Sequence, residues 1–505
     1  MTVRQSPDQT IRLDNNSLNT MHATLSRPLC IDLDGTLIAT DTLWESIFLL
    51  LRQNPIYLLM LPWWLLRGKA HFKQQIAQKT TLAAATLPYR EAVLLFLHQQ
   101  REAGRKLILI TAANEKIAQA VANHLKLFDE VIGSSPQLNL KGTEKVAWLN
   151  QHFGAGNYDY MGDSPSDLPI FKVAHTSYLV APSRRLQQRF SCPPAQIFPA
   201  PESSWKVWLK VLRPHQWSKN VLIFVPLILS QQFFDIHKLF DSSLAFFCFS
   251  LVASSGYVIN DLLDLAADRV HLTKKKRPFA AGTVPISYGL PIFFGLIGLS
   301  AAISLIFINI AFTAMLLFYL IITLSYSFYL KRKMIVDILI LAGLYTHRII
   351  AGGVAVATIP SGWLLAFSMF FFISLAFLKR YIELLELNDL HQLYGSEHRA
   401  VKNRNYWVDD LEMIASMGPT SGYLAVLVYA LYINTMTIKG LYAAPHILWL
   451  ICPILLYWIT RIWFLAKRRL MVDDPVQFAI EDRVSWITLA SITLLFLIAS
   501  FVRFA

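Results

Sequence analysis

Hydrophobic and polar positions fall into two regimes along the 505-residue chain. Up to about residue 205, short apolar runs alternate with polar stretches; from about 220 onward the chain is mostly long apolar segments joined by short basic loops. In the first regime, the run entering DLDGT at 32–36 and the runs at 106–110 and 158–161 have the length of buried strands. Each ends in polar residues, the pattern of an open parallel α/β sheet with its site at the carboxyl ends of the strands. In the second regime the apolar segments lie at about 219–233, 243–261, 286–307, 310–329, 337–357, 361–380, 416–436, 446–465 and 483–502. Crossing a bilayer takes ~20 apolar residues in a helix, so this half predicts an all-α polytopic membrane bundle of about nine transmembrane helices over 205–505. The polar residues 1–27 predict a disordered tail, 28–181 the α/β domain, and the Pro-rich stretch 182–204 a linker.

Composition sharpens this division. The chain is 54% hydrophobic and 13% aromatic, with 46 Lys and Arg against 33 Asp and Glu. The net charge of +13 does not point to nucleic acid, because the cations cluster between apolar segments in the manner of cytoplasmic loops. With a cytoplasmic N-terminal domain, Arg269, Lys274 to Arg277, Lys331 to Lys333, Lys379, Arg380, Arg399, Lys402, Arg404, Lys467 to Arg469 and Arg483 lie inside. Only Lys238, Lys439 and Arg503 then lie outside. This asymmetry predicts a multi-pass cell (inner) membrane protein with its N-terminal domain in the cytoplasm. No secretory signal is expected, and Cys30, Cys192, Cys248 and Cys452 show neither metal nor redox spacing.

The α/β half carries candidate phosphoryl chemistry. Asp32 and Asp34 stand two residues apart after the first strand, Thr111 follows the second, GDSPSD at 162–167 follows the third, and KGTEK at 141–145 opens a helix. Together these offer a carboxylate nucleophile, a second carboxyl as acid or base, a hydroxyl and an ammonium for phosphate, and further acids for a metal. The four pieces, in this order, resemble the haloacid dehalogenase (HAD) superfamily of phosphatases over about residues 27–190. The resemblance implies an HAD-like Rossmannoid domain with a small helical cap. It makes Asp32 the nucleophile that forms an aspartyl phosphate, Asp34 the general acid/base and Thr111 a ligand of the phosphoryl oxygens. It also implies that Asp163 completes a Mg²⁺ site with Asp32, supported or joined by Asp167. The family lysine is Lys145 or Lys141, and Leu149 at the expected helical offset favours Lys145. A second reading keeps these motifs as a fold scaffold without turnover.

The insertion at about 42–87 contains SIFLLLRQNPIYLLMLPWWLLRG. Neither of its apolar stretches is long enough to cross a bilayer, and crossing would separate Asp32 from Asp163. A helical cap lying on the membrane interface through Trp63, Trp64 and Arg67 is one expectation, and an ordinary buried cap core the other.

In the membrane half the most informative stretch is NDLLDLAADRVHLTKKKRPFAAG at 260–282. Asp261, Asp264 and Asp268 recur at spacings of three and four, which puts three carboxylates on one helix face at the end of an apolar helix. Their mutual repulsion is relieved by a divalent cation, and all-oxygen ligands suit Mg²⁺. The alternative is a solvated acidic turn. Further polar residues at the same side are RPHQWSKN at 213–220, YSFYLKRKMIVD at 326–337 and KRYIE at 379–383, with His347 and Arg348 inside an apolar segment. For most of these cations positive-inside duty competes with a functional role, whereas Arg348 lies too deep for easy escape to water.

NDLLDLAAD followed by RPFAAG, with nine helices and cytoplasmic polar ends, is similar to the UbiA superfamily of intramembrane transferases over about 205–505. Members that move a prenyl group usually show a second acid-rich motif with two Asp, whereas here that loop keeps Asp337 amid Lys331, Arg332 and Lys333. With RPHQWSKN, this departure resembles the branch that makes polyprenyl-phosphate 5-phosphoribose. The resemblance implies phosphoribosyl diphosphate as donor, a polyprenyl phosphate as acceptor, and Mg²⁺ held by Asp261, Asp264 and Asp268. Asn260 would orient a ligand, and Lys219, Arg277, Lys331 and Arg348, beside Asp337, would meet the phosphates. The fused phosphatase-like domain would then remove the 5-phosphate. Two alternatives are an aromatic prenyltransferase that consumes a prenyl diphosphate, and a transporter or lipid-binding bundle regulated by the soluble domain.

Overall fold

Short runs of Leu, Ile, Val and Tyr build a six-stranded parallel sheet in the order β3-β2-β1-β4-β5-β6. The strands are β1 (Leu29–Ile31), β2 (Leu107–Asn114), β3 (Glu130–Ser134), β4 (Asp159–Gly162), β5 (Ser177–Val180) and β6 (Gln196–Phe198). This computed structural model describes residues 27–135, 139–190, 193–200, 204–394, 405–435, 442–471 and 474–502. The polar N-terminal stretch 1–26, Cys192, Arg399, Lys402, Arg404, Lys439 and Arg503 lie outside the described residues. By its internal contacts the chain divides into two units, one formed by 1–211 with 258–292 and the other by 212–257 with 293–505.

In the first unit, β1 is central. Ile31 pairs with Leu109 of β2 on one side and Met161 of β4 on the other, so the chain leaves all three strands at the same edge of the sheet. The order reverses between β1 and β4, the switch point at which open parallel sheets place their ligands. Both faces are sealed by apolar clusters. Leu29, Ile31, Leu107 and Leu109 point to one face, and Cys30, Ile108, Ile110 and Tyr160 to the other. The insertion after β1 is mainly helical, with α1 (Thr42–Gln53), α2 (Tyr57–Leu66) and α3 (Lys69–Lys79) joined through Ile47, Leu50, Trp64 and Ile76. Further on come α4 (Glu91–Glu102), α5 (Glu115–Leu125) and α6 (Thr143–Phe153).

The stretch 182–204, expected to be a linker, carries structure of its own. It forms the helix Arg184–Arg189 and then β6, whose Ile197 pairs with Leu179 of β5. Pro193, Pro194 and Pro199 flank β6 and none lies within it, so the strand keeps every N–H it can use for pairing. A second departure concerns 258–292, which groups by contacts with the α/β domain and not with the rest of the 205–505 stretch. Within it Asp261, Asp264 and Asp268 do not sit on one uninterrupted helix. The helix Ile236–Leu263 ends at Leu263, Asp264 is a turn residue, and the short helix Leu265–Val270 follows.

Eight of the expected apolar segments are helices long and apolar enough to cross a membrane: Ile236–Leu263, Ile286–Phe307, Ile310–Phe328, Val336–Ala355, Gly362–Asp389, Val408–Ile433, Pro445–Lys467 and Arg483–Phe501. The remaining one, expected at 219–233, is a 3₁₀ helix over Pro214–Phe224 continued by the short α-helix Val225–Leu229. Pro226, near the start of that short helix, lacks the N–H that a continuous α-helix would use there. In the second unit an apolar cluster joins Ile338, Phe372, Leu378, Ile459 and Trp463 from three of the long helices.

Candidate active site

The residue after β1 is Asp32, and the backbone turns directly beyond it. Gly35 has φ +78°, and a Cβ there would stand 2.2 Å from Asp163 Oδ2, so the DLDGT turn needs glycine both for its backbone and for the approach of Asp163. Thr36 Oγ1 donates to Asp163 Oδ1 at 3.0 Å. Lys145, almost completely buried on α6, places Nζ 3.1 Å from Asp32 Oδ1 and donates to Tyr160 OH at 3.0 Å. Tyr160 OH in turn donates to Asp167 Oδ1 at 3.1 Å. Ligand oxygens of Asp32, Asp163 and Asp167 all lie within 4.8 Å of one another.

So close a set of acids is electrostatically costly. Burial, with the charges of Asp32 and Asp167, pushes Asp163 up to about 8. Burial and Asp32 push Asp167 up to about 6 against the pull of Lys145. Asp34 also sits well above the usual carboxylate range, because of burial and the neighbouring Asp41. The first residue of α1 orients it, with Thr42 N–H and Thr42 Oγ1 donating to the two oxygens at 2.9 and 3.1 Å. Asp41 caps the same helix by accepting from the N–H groups of Leu43 and Trp44.

These groups line a cavity of about 690 Å³. Cap residues Leu43, Ser46 and Lys73 contribute to it, as do Lys141 and Lys145. Thr111 is buried, its hydroxyl accepts from Ala113 N–H at 3.0 Å, and the cavity is lined there by Ala112, Ala113 and Asn114 and not by Thr111 itself. Part of the lining comes from distant sequence. Gly282, Thr283, Pro285, Ile286, Ser287 and Tyr288 face the same cavity. Gly282, at φ +67°, lies so close to Ala39 that a Cβ would meet the Ala39 carbonyl oxygen at 2.6 Å.

The aspartate stretch is held by arginines. Arg277 Nη1 stands 3.1 Å from Asp261 Oδ1 and 2.6 Å from Asp268 Oδ2, so two of the carboxylates converge on one cationic nitrogen. Asp264, turned out by the helix break, pairs with Arg52 Nη2 at 3.5 Å. Asn260 contributes its carbonyl, which accepts from Asp264 N–H at 3.0 Å. Burial raises Asp268, and Arg277 opposes this. Next along, Arg269 is buried against Glu45 of α1, with Nη2 to Oε1 at 2.5 Å and Nη1 to Oε2 at 3.2 Å. Thr40 Oγ1 also donates to Glu45, at 2.7 Å.

In the second unit the expected cations are engaged with side chains. Lys219 donates to Asp474 Oδ2 at 2.8 Å, and Lys379 reaches the same oxygen at 3.1 Å. Arg348 donates to Asn220 Oδ1 at 2.8 Å and to Tyr319 OH at 3.1 Å, with its guanidinium over the rings of Phe249, Tyr319 and Tyr345. His347 Nε2 lies 3.0 Å from the Met315 carbonyl oxygen. Asp337 is fully buried, accepts from Tyr406 OH at 2.6 Å and pairs with Arg380 Nε at 2.9 Å. Lys331 lies half-buried in the 3₁₀ turn Leu330–Arg332.

Residues 221–479 match the UbiA prenyltransferase family, and residues 29–172 match the haloacid dehalogenase-like hydrolases. The chain belongs to the UbiA prenyltransferase family. Over 477 residues it is 36% identical to protein y4nM of Sinorhizobium fredii, which covers 94% of this chain and 91% of that protein. It is 34% identical over 229 residues to the decaprenyl-phosphate phosphoribosyltransferase of Corynebacterium glutamicum, 44% of this chain and 66% of that protein. Among solved structures, a UbiA homolog from Archaeoglobus fulgidus bound to GPP and Mg²⁺ aligns with TM-score 0.42 and 16% identity over 57% of this chain and 99% of that one.

This UbiA-family chain is therefore a multi-pass membrane enzyme fused to an HAD-like hydrolase domain. The hydrolase donor set fits Mg²⁺: the carboxylates of Asp32, Asp163 and Asp167 converge, burial and mutual repulsion raise the proton affinity of Asp163 and Asp167, and all the ligand atoms are oxygen. In the UbiA motif Asp261 and Asp268 converge on the Arg277 guanidinium, which neutralises both. Sequence reasoning missed Glu45, Lys73, Arg269 as a buried partner, and Asp474. An acid in a loop otherwise rich in Lys and Arg was the available signal for Asp474. The other three carried none, because only folding brings the cap, the aspartate stretch and the sheet together.

Proposed function

We propose that this UbiA-family enzyme transfers 5-phosphoribose from phosphoribosyl diphosphate to a polyprenyl phosphate, and that its HAD-like domain then removes the 5-phosphate. One observation carries the coupling. The cavity over Asp32 has a wall made by Gly282 to Tyr288, the segment that directly follows the UbiA aspartate stretch. The similarity to a decaprenyl-phosphate phosphoribosyltransferase supports the choice of donor and acceptor. The basic loops favour a cytoplasmic N-terminal domain at an inner membrane, which gives the first step access to soluble phosphoribosyl diphosphate and the second step access to the 5-phosphate formed on the same side.

In the first step a lipid phosphate oxygen bonds to ribose C1 as the C1–O bond to diphosphate breaks, and diphosphate leaves. Asp261, Asp264 and Asp268 would hold Mg²⁺ there, and Arg277, once released from Asp261 and Asp268, would be free to meet a phosphate. In the second step the Asp32 carboxylate attacks phosphorus, the bond from phosphorus to the ribose 5-oxygen breaks, and that oxygen takes the proton of Asp34. Water then attacks the aspartyl phosphate, gives its proton to Asp34 and releases inorganic phosphate. The high proton affinity of Asp34 suits the acid role, and Lys145 offsets negative charge beside Asp32. Mg²⁺, when bound by Asp32, Asp163 and Asp167, supplies charge neutralisation for the phosphoryl group.

The test is label transfer from radioactive phosphoribosyl diphosphate into the lipid extract of membranes that carry the enzyme. Asp264→Ala is expected to abolish incorporation, and Asp32→Asn to accumulate a phosphorylated lipid in place of the dephosphorylated product. Incorporation from labelled prenyl diphosphate instead would establish the aromatic prenyltransferase reading. An unchanged product distribution in Asp32→Asn would remove the second step.

A further inference from the structure

The cap contains a helix that its own domain does not cover. α2, YLLMLPWWLL, is ten residues without a charge. Trp64 is buried, and Tyr57 and Leu61 pack beside it against α1 and α3. The rest points outward: Leu59 is 79% and Leu66 82% exposed, with Ile56, Leu58, Trp63 and Leu65 exposed beside them. A contiguous apolar patch of this kind marks a binding surface. At ~15 Å the helix is too short to cross a bilayer.

What covers it follows from where its start is tied. Arg52, in the last turn of α1, donates through Nη1 to the Leu263 carbonyl oxygen at 3.5 Å, and its Nη2 stands 3.5 Å from Asp264. Leu263 is the final residue of the membrane-crossing helix Ile236–Leu263. The chain enters α2 five residues after Arg52, so the patch begins beside the point where a crossing helix ends. Its far end has interfacial chemistry, with the Arg67 guanidinium 5.2 Å from the centre of the Trp63 ring and Lys69 opening α3. Aromatic and cationic groups at the rim of an uncharged helix are the composition of a segment lying in the headgroup region.

We infer that α2 is an interfacial anchor seated in the leaflet where Leu263 ends, and that it holds the mouth of the phosphatase cavity against lipid-borne phosphate. α2 links the two cap helices that line the cavity, α1 through Thr42, Leu43 and Ser46 and α3 through Lys73, Ile76 and Ala77. The anchor stands on these contacts alone; the lipid-borne substrate rests on the proposed second step.

The full chain, reconstituted in phosphatidylethanolamine–phosphatidylglycerol vesicles on a background with its four cysteines replaced by alanine, provides the test. A nitroxide attached at Leu59→Cys is compared with one at Leu95→Cys, an exposed position on α4. The Leu59 label is expected to collide preferentially with oxygen and the Leu95 label with a water-soluble nickel chelate. Equal, water-like accessibility at both sites overturns the anchor, and so does dipolar broadening at Leu59 that reports a second copy as the occupant. The triple variant Leu58→Ser, Leu59→Ser, Leu66→Ser then separates the two claims. Hydrolysis of a small soluble aryl phosphate is expected to be unchanged, while hydrolysis of a lipid-linked phosphomonoester in the vesicles falls by about tenfold or more. Equal rates on the lipid substrate in variant and parent overturn the presentation role. An immersed Leu59 label in an enzyme that does not hydrolyse the lipid substrate keeps the anchor and removes the second step.

Discussion

Asp163 shows how a single side chain ties the hydrolase to pH and metal. Its carboxyl is pushed up to about 8 in the folded protein, whereas an unfolded Asp titrates near ~3.9. Without a cation, the folded chain therefore holds one more proton than the unfolded chain between about pH 4 and pH 8. The stability this contributes is complete below about pH 4 and is lost as pH rises through about 8. A bound cation must displace that proton, so Mg²⁺ affinity at this site is expected to fall about tenfold for each pH unit from 8 down to about 6, and more steeply below, where Asp167 also takes up a proton. Calorimetry in buffers of different ionisation enthalpy should record about one proton released per Mg²⁺ near pH 7, and Asp163→Asn should abolish the release. Lys145→Ala should slow aryl phosphate hydrolysis by about a hundredfold or more, since it removes the cation beside Asp32. Helical phase favoured Lys145 over Lys141, and Lys145 stands 3.1 Å from Asp32, whereas the Tyr160 relay to Asp167 depends on a side chain from β4 that no motif marked.

Two joints between elements decide whether the hydrolase site is assembled. The turn after β1 depends on Gly35, and Gly35→Ala should cost about 1–2 kcal/mol in backbone strain while driving Asp163 out of place. Aryl phosphate hydrolysis should be lost, with label transfer into lipid retained. The second joint is the buried pair of Arg269 with Glu45, which fastens the aspartate stretch to α1. Arg269→Ala leaves Glu45 buried without its cation and should destabilise the α/β unit by about 3–5 kcal/mol, read by denaturant unfolding in detergent. Arg269→Lys should restore little, because an ammonium cannot make the paired contacts of a guanidinium. Sequence patterning located both elements of this joint but counted Arg269 as one more loop cation, since nothing in a linear pattern marks which cation will be buried. The same limit applies at Asp261, Asp264 and Asp268: their spacing promised one helix face, and the break at Asp264 divides them between Arg277 and Arg52.

For the whole molecule, chelation of divalent cations should stop both label incorporation and phosphate release, and added Mg²⁺ should restore both. The proposed order of steps adds that the phosphorylated lipid appears before its dephosphorylated product in a time course. Residue pattern alone determined the two halves, the parallel sheet, the crossing helices and the acids that gather after β1 and β4. It could do so because strand and helix periods, membrane-length apolar runs and motif spacings are local properties of the chain. Tertiary structure alone decided that 258–292 joins the α/β unit, that β6 lies within the expected linker, and that Gly282 to Tyr288 wall the cavity over Asp32. The first and last of these depend on burial and charge pairing between segments some two hundred residues apart, and β6 on backbone pairing with β5, and such pairings have no period that a sequence can display.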